Sequence, residues 1–131
     1  MRFIQSSVAS GDKTFLYHSV AVFCGGVLGA GTRIWIGTLG GSLWQTTLVP
    51  NCLACFLLAW GATRYPKESL ANAFFATGFC GALSTFSTFS QEIFIFAERD
   101  LVRAIAWILL MGITGMISFL LGERVGRRFS Q

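Results

Sequence analysis

Four apolar stretches, divided by short polar connectors, organise this chain. They run near Phe15 to Ile36, Leu43 to Ala62, Leu70 to Phe96 and Leu101 to Gly122. Each is long enough to cross a hydrocarbon core of about 30 Å at about 1.5 Å per residue. The connectors hold most of the charges, as at Arg64-Tyr-Pro-Lys-Glu68 and Glu98-Arg-Asp100. The pattern predicts an all-α membrane protein with four transmembrane helices in one domain over 15–123. A polar N-terminal tail, 1–14, and a basic C-terminal tail, 124–131, flank it.

Composition sharpens this picture. Of 131 residues, 53% are hydrophobic and 12% charged, where a soluble domain carries roughly 25% charged; mean hydropathy is +0.63. The leader lacks the continuous apolar core of a cleavable signal, so it reads as a mobile or interfacial tail. Trp35, Trp44, Trp60 and Trp107 lie near span ends and read as interface anchors. The net charge of +4 is scattered at span ends without a basic, aromatic-interleaved face, which argues for the lipid bilayer and against nucleic acid as partner. The N-terminal tail, second connector and C-terminal tail carry more Lys and Arg than the opposite side (Arg33, Arg99, Arg103), and the positive-inside rule then favours both termini in the cytoplasm.

Two small-residue features concern packing. Gly25 and Gly29, Gly26 and Ala30, and Gly122 and Gly126 recur at four-residue spacing, which lets helices approach closely and permits oligomers. A subunit of four spans encloses little space, so a dimer interface suits a pathway better than its interior. Cys24, Cys52, Cys55 and Cys80 fall inside spans; Cys52 and Cys55 spell C-x-x-C, yet with no second ligand pair they read as small packing residues. His18 lacks a carboxylate or thiol partner in sequence and reads as packing at the interface, so the chain is not expected to be an enzyme.

The third span holds the chemistry. Residues 78–92, Gly-Phe-Cys-Gly-Ala-Leu-Ser-Thr-Phe-Ser-Thr-Phe-Ser-Gln-Glu, place five hydroxyls and two glycines in apolar surroundings. An unpartnered polar group in hydrocarbon costs several kcal/mol, so this depth serves protein, ion or water. Poor helix formers here predict that the helix loosens near Gly81 to Ser84 and frees carbonyls, which suit a small cation such as Na+. Phe86 and Phe89 share a helix face, with Ser87 and Ser90 beside them. Ring edges carry positive potential. With hydroxyls and the amide of Asn51, just after Pro50, they suit a small anion.

Gly25-Gly-Val-Leu-Gly-Ala-Gly-Thr-Arg33, Thr47-Leu-Val-Pro-Asn51 and residues 78–92 together resemble the signatures of the Fluc (CrcB) fluoride channels, in order and spacing. The third signature is highly specific; the first, mostly glycine, is weak alone. The resemblance implies a passive, fluoride-selective channel in the cell (inner) membrane that relieves fluoride toxicity. It further implies subunits paired antiparallel, a third helix broken at mid-membrane, two pores and one structural Na+. Carried onto this chain, the Na+ ligands are the carbonyls of Gly81 and Ser84, and the fluoride-lining residues are Asn51, Phe86, Phe89, Ser87 and Thr88. Arg33 and Glu92 take vestibule or structural-pairing positions. Ala82 and Ser84 depart from the family's glycine and threonine but keep a carbonyl. In the fourth span Thr114 and Ser118 form a candidate polar track, with back-bonding to their own helix as the default reading.

Two points stay open. The one-sided positive charge opposes insertion both ways, so an antiparallel homodimer competes with pairing to an oppositely oriented sister chain. A small proton-coupled multidrug exporter is the alternative function; it needs a deep carboxylate, for which Glu92 is the only intramembrane candidate.

Overall fold

The computed structural model describes residues 2–39 and 44–129. Those residues are helical, with short connectors and no strand among them. The first helix, α1, runs Arg2–Thr38. A π-helical turn, Trp44–Leu48, runs without a break into α2, Val49–Ala62, where Pro50 has no N–H to donate back into that turn. The next helix, α3, covers 70–83 and contains the π-helical stretch Ala73–Cys80 between single α turns. It is followed by α4, Phe86–Arg99, and α5, Leu101–Arg128.

Local chemistry sets the boundaries. The Ser69 hydroxyl accepts from Asn72 N–H to open α3, and the Asp100 carboxylate accepts from Val102 and Arg103 N–H to open α5. Residues 2–14, expected as a separate tail, continue α1, and 124–128 continue α5. Lys13–Thr38 and Leu101–Arg128 are each long and apolar enough to cross a membrane, and Thr46–Ala62 is a shorter apolar helix.

The four-residue glycine stripes divide by what they meet. A Cβ on Gly25 or Gly29 would strike the carbonyls of Phe74 or Phe79, so α1 lies backbone to backbone on the π-helical part of α3. A Cβ on Gly122 would strike Phe56 O, and one on Gly126 the Thr63 hydroxyl, so α5 lies equally close on α2. Gly26, by contrast, faces open space.

One end of the bundle gathers three basic segments. His18 sets its ring nitrogens 2.8 and 3.2 Å from the carbonyl oxygens of Thr14 and Glu68, tying α1 to the 63–69 connector. That is a tether, where sequence suggested interfacial packing. The Thr63–Gly126 contact brings the C-terminal turns of α5 to the same connector, and Arg64 lies over the rings of both Trp60 and Phe129.

Candidate functional site

Between α3 and α4 the helix is interrupted by two extended residues, Ser84 (φ −71°, ψ 153°) and Thr85 (φ −140°, ψ 118°). The interruption falls at the end of the Gly81 to Ser84 segment expected to loosen. Its stability comes from a neighbouring helix. Asn51 on α2 accepts from Thr85 N–H through Oδ1 at 2.7 Å and donates from Nδ2 to Thr85 C=O at 3.4 Å. One amide side chain thus replaces both helical partners of a residue that is 4% exposed.

Thr85 also caps α4. Its Oγ1 accepts from Thr88 N–H at 3.3 Å, donates to Thr88 Oγ1 at 3.1 Å and lies 3.4 Å from Ser87 Oγ. These diversions have a consequence for the carbonyls behind them. In an unbroken helix Gly81 C=O would accept from Thr85 N–H and Ser84 C=O from Thr88 N–H. Both donors are engaged elsewhere. Gly81 C=O accepts instead from the Ser84 hydroxyl, at 3.3 Å.

Asn51, Ser84, Thr85, Phe86 and Phe89 border one open cavity of about 470 Å³, closed on its other side by Cys52 and Cys55 of α2 and by Ile108, Met111, Gly112 and Gly115 of α5. Phe86 and Phe89 lie with ring centroids 6.2 Å apart and planes at 55°. Phe86 is 79% exposed at the cavity edge.

Glu92 forms a second polar group further along α4. Thr47 Oγ1 donates to Oε1, and Trp107 Nε1 donates to Oε2 at 3.0 Å. Glu92 and Trp107 are 5% and 8% exposed. The carboxylate is therefore a buried acceptor shared by the π turn before α2, α4 and α5. Trp107 accordingly is no interface anchor: its N–H serves Glu92, and its ring meets Phe96 edge-on. Trp35 is exposed on α1; Trp60 packs on Phe75; Trp44's side chain lies outside the described residues.

The structure thus brings Asn51, Ser84, Phe86 and Phe89 together, with Ser87 and Thr88 attached through Thr85 and with Gly81 one turn back. Arg33 is half-buried on the last turns of α1, away from this cavity, and makes no ion pair among the described residues. Thr114 turns its hydroxyl back to Leu110 C=O at 2.6 Å, and Ser118 is half-buried one turn on; neither borders the cavity.

Sequence reading passed over Thr47, Thr85 and the buried role of Trp107. Thr85 carried a signal, a threonine three residues before Thr88 at a helix start. Thr47 shares a face with Asn51, four residues on.

A helical membrane protein built around a broken helix, clamped by a side-chain amide beside two phenylalanines, is the class that fold and site define. Residues 20–123 match the family model described as CrcB-like protein, Camphor Resistance (CrcB), and the chain belongs to that family. A relative from Bacillus subtilis (strain 168), "Fluoride-specific ion channel FluC 2", is 36% identical over 117 residues, covering 84% of this chain and 88% of the relative. The protein of the same name from Listeria innocua is 35% identical over 122 residues, covering 88% and 89%. "Fluoride-specific ion channel FluC" of Thermococcus onnurineus is 42% identical over 90 residues, covering 63% and 73%. These names describe ion channels, not enzymes.

Proposed function

We propose that this chain is a fluoride-selective passive ion channel of the cell (inner) membrane, exporting fluoride from the cytoplasm, with pores at an antiparallel dimer interface. The observation that carries the reading is the Asn51–Thr85 clamp, which holds a helix break open beside Phe86 and Phe89. The relatives' names, over nearly the whole chain, point the same way.

The site's own groups supply the chemistry. Fluoride is small and strongly hydrated, so a path through hydrocarbon has to replace its water with donors. Asn51 spends one amide hydrogen on Thr85 C=O and keeps a second for the cavity. Ser87 and Thr88 add hydroxyls, and the Phe86 and Phe89 rings offer positive edges without a full positive charge that would trap the ion. The exposed Phe86 and the open cavity suit closure by a second subunit.

A structural Na+ fits the residues present. Gly81 and Ser84 carbonyls have lost their helical donors, and carbonyl oxygens are the ligands a hard cation takes. The carbonyls of Gly81 and Ser84 would hold the ion, which would supply positive charge beside the helix break.

The exporter alternative needs a carboxylate that takes up and releases protons. Both oxygens of Glu92 are occupied by donors from Thr47 and Trp107, which suits a fixed structural acceptor better. The test is fluoride efflux from liposomes holding the purified chain: passive efflux supports the channel, and efflux that requires a pH gradient supports the exporter.

A further inference from the structure

Cys52 and Cys55 play no part in the clamp, yet both border the same cavity as Asn51, Thr85 and Phe86. Three residues apart on α2, they share a face at one-turn spacing. Across from them, Cys55 Sγ lies 3.6 Å from the point where a Cβ on Gly115 would stand. The two helices run in the same direction, because Gly115, Gly122 and Gly126 meet Cys55, Phe56 and Thr63 in turn. Met111 lies one turn before Gly115 and Cys52 one turn before Cys55. Met111 also lines the cavity. Two free thiols and a thioether share one wall.

Zinc takes four nitrogen, sulfur or carboxylate ligands. Among the described residues no group of three or more His, Cys, Asp or Glu can hold a metal ion. Soft thiolate and thioether ligands select monovalent ions such as Cu+, and Ag+ shares that preference with low coordination. We propose that Cys52, Cys55 and Met111 form a binding site for a soft monovalent cation, Ag+ or Cu+, in the wall of the Asn51–Phe86 cavity. On binding, two S–H bonds break and three sulfur–metal bonds form, two of them to the resulting thiolates. Both protons pass to water, the Met111 sulfur donates a lone pair, and the metal keeps its single positive charge, so no oxidant or reductant takes part.

The test uses the full-length chain, purified in detergent and titrated with silver nitrate in chloride-free buffer. Native mass spectrometry counts bound silver, and N-ethylmaleimide labelling, mapped by peptide mass, reports which thiols it covers. One silver ion per chain is expected, protecting Cys52 and Cys55 together while the exposed Cys24 still reacts. Cys52→Ala and Cys55→Ala should each lose that ion, Met111→Leu should weaken it, and Cys24→Ala should leave it unchanged. Silver that protects Cys24 or Cys80 instead overturns the site, as does an unmodified chain whose Cys52 and Cys55 never react with maleimide. Labelling is read on the unmodified chain, so a variant that misfolds does not decide the result. Neither readout measures flux, so failure here leaves the fluoride reading intact, and the reverse holds too.

Discussion

Asn51 of α2 holds both backbone groups of Thr85, its Oδ1 accepting the N–H and its Nδ2 donating to the C=O. A helix break placed in apolar surroundings strands polar groups, and this amide is what makes the break tolerable. Asn51→Leu keeps the volume and strands Thr85 N–H. The expected loss is about 1–3 kcal/mol of stability, together with fluoride flux, read by thermal unfolding in detergent and by efflux from liposomes. An Asn51→Leu protein of unchanged stability would show that the clamp is dispensable.

The Glu92 group is expected to be structural. Trp107→Phe removes the indole N–H and leaves the buried Oε2 without its donor, at a cost of about 1–3 kcal/mol. Thr47→Val does the same to Oε1. Chemical denaturation in detergent measures both; neutral variants would contradict the buried-acceptor role.

Glycines at identical spacing should behave differently. Gly25→Ala and Gly122→Ala drive a methyl group into the carbonyls of Phe74 and Phe56 and are expected to lower the yield of monodisperse protein sharply. Gly26→Ala meets nothing within 4 Å inside the subunit and should express normally. Size-exclusion profiles of the three variants separate these outcomes, and equal behaviour would argue against the backbone-to-backbone packing.

Sodium should matter to assembly. If the carbonyls of Gly81 and Ser84 hold Na+, exchange into sodium-free N-methyl-glucamine buffer should lower the protein's melting temperature, and readdition of Na+ should restore it more effectively than K+. A melting curve indifferent to the cation would remove the metal from the account.

Much of this architecture could be read from the chain. Hydropathy marks four helical regions, and the density of glycine and hydroxyls from Gly78 to Ser90 marks the break to within a residue or two, because both signals are local. Partner choice is not local. Nothing near Asn51 says that its amide will clamp a peptide 34 positions on, and nothing near Trp107 distinguishes an indole facing headgroups from one facing Glu92. Gly25 and Gly26 are adjacent and alike in sequence; only the lie of α1 on α3 decides which one is in contact. The leader's polar residues carry no apolar pattern, yet 2–14 extend the helix of the span behind them.

The ring pair offers a sharp test of the channel reading. Phe86→Ile and Phe89→Ile keep apolar bulk while removing the positive ring edge, so each should fold and dimerise normally yet lose fluoride flux by at least about tenfold, equivalent to about 1.4 kcal/mol in the barrier.

The most direct measurement is fluoride efflux, followed by an ion-selective electrode, from liposomes reconstituted with this chain alone. Rapid passive release of fluoride, with chloride retained and no pH gradient imposed, is the expected result. Vesicles that hold well-folded protein and stay closed to fluoride would contradict it.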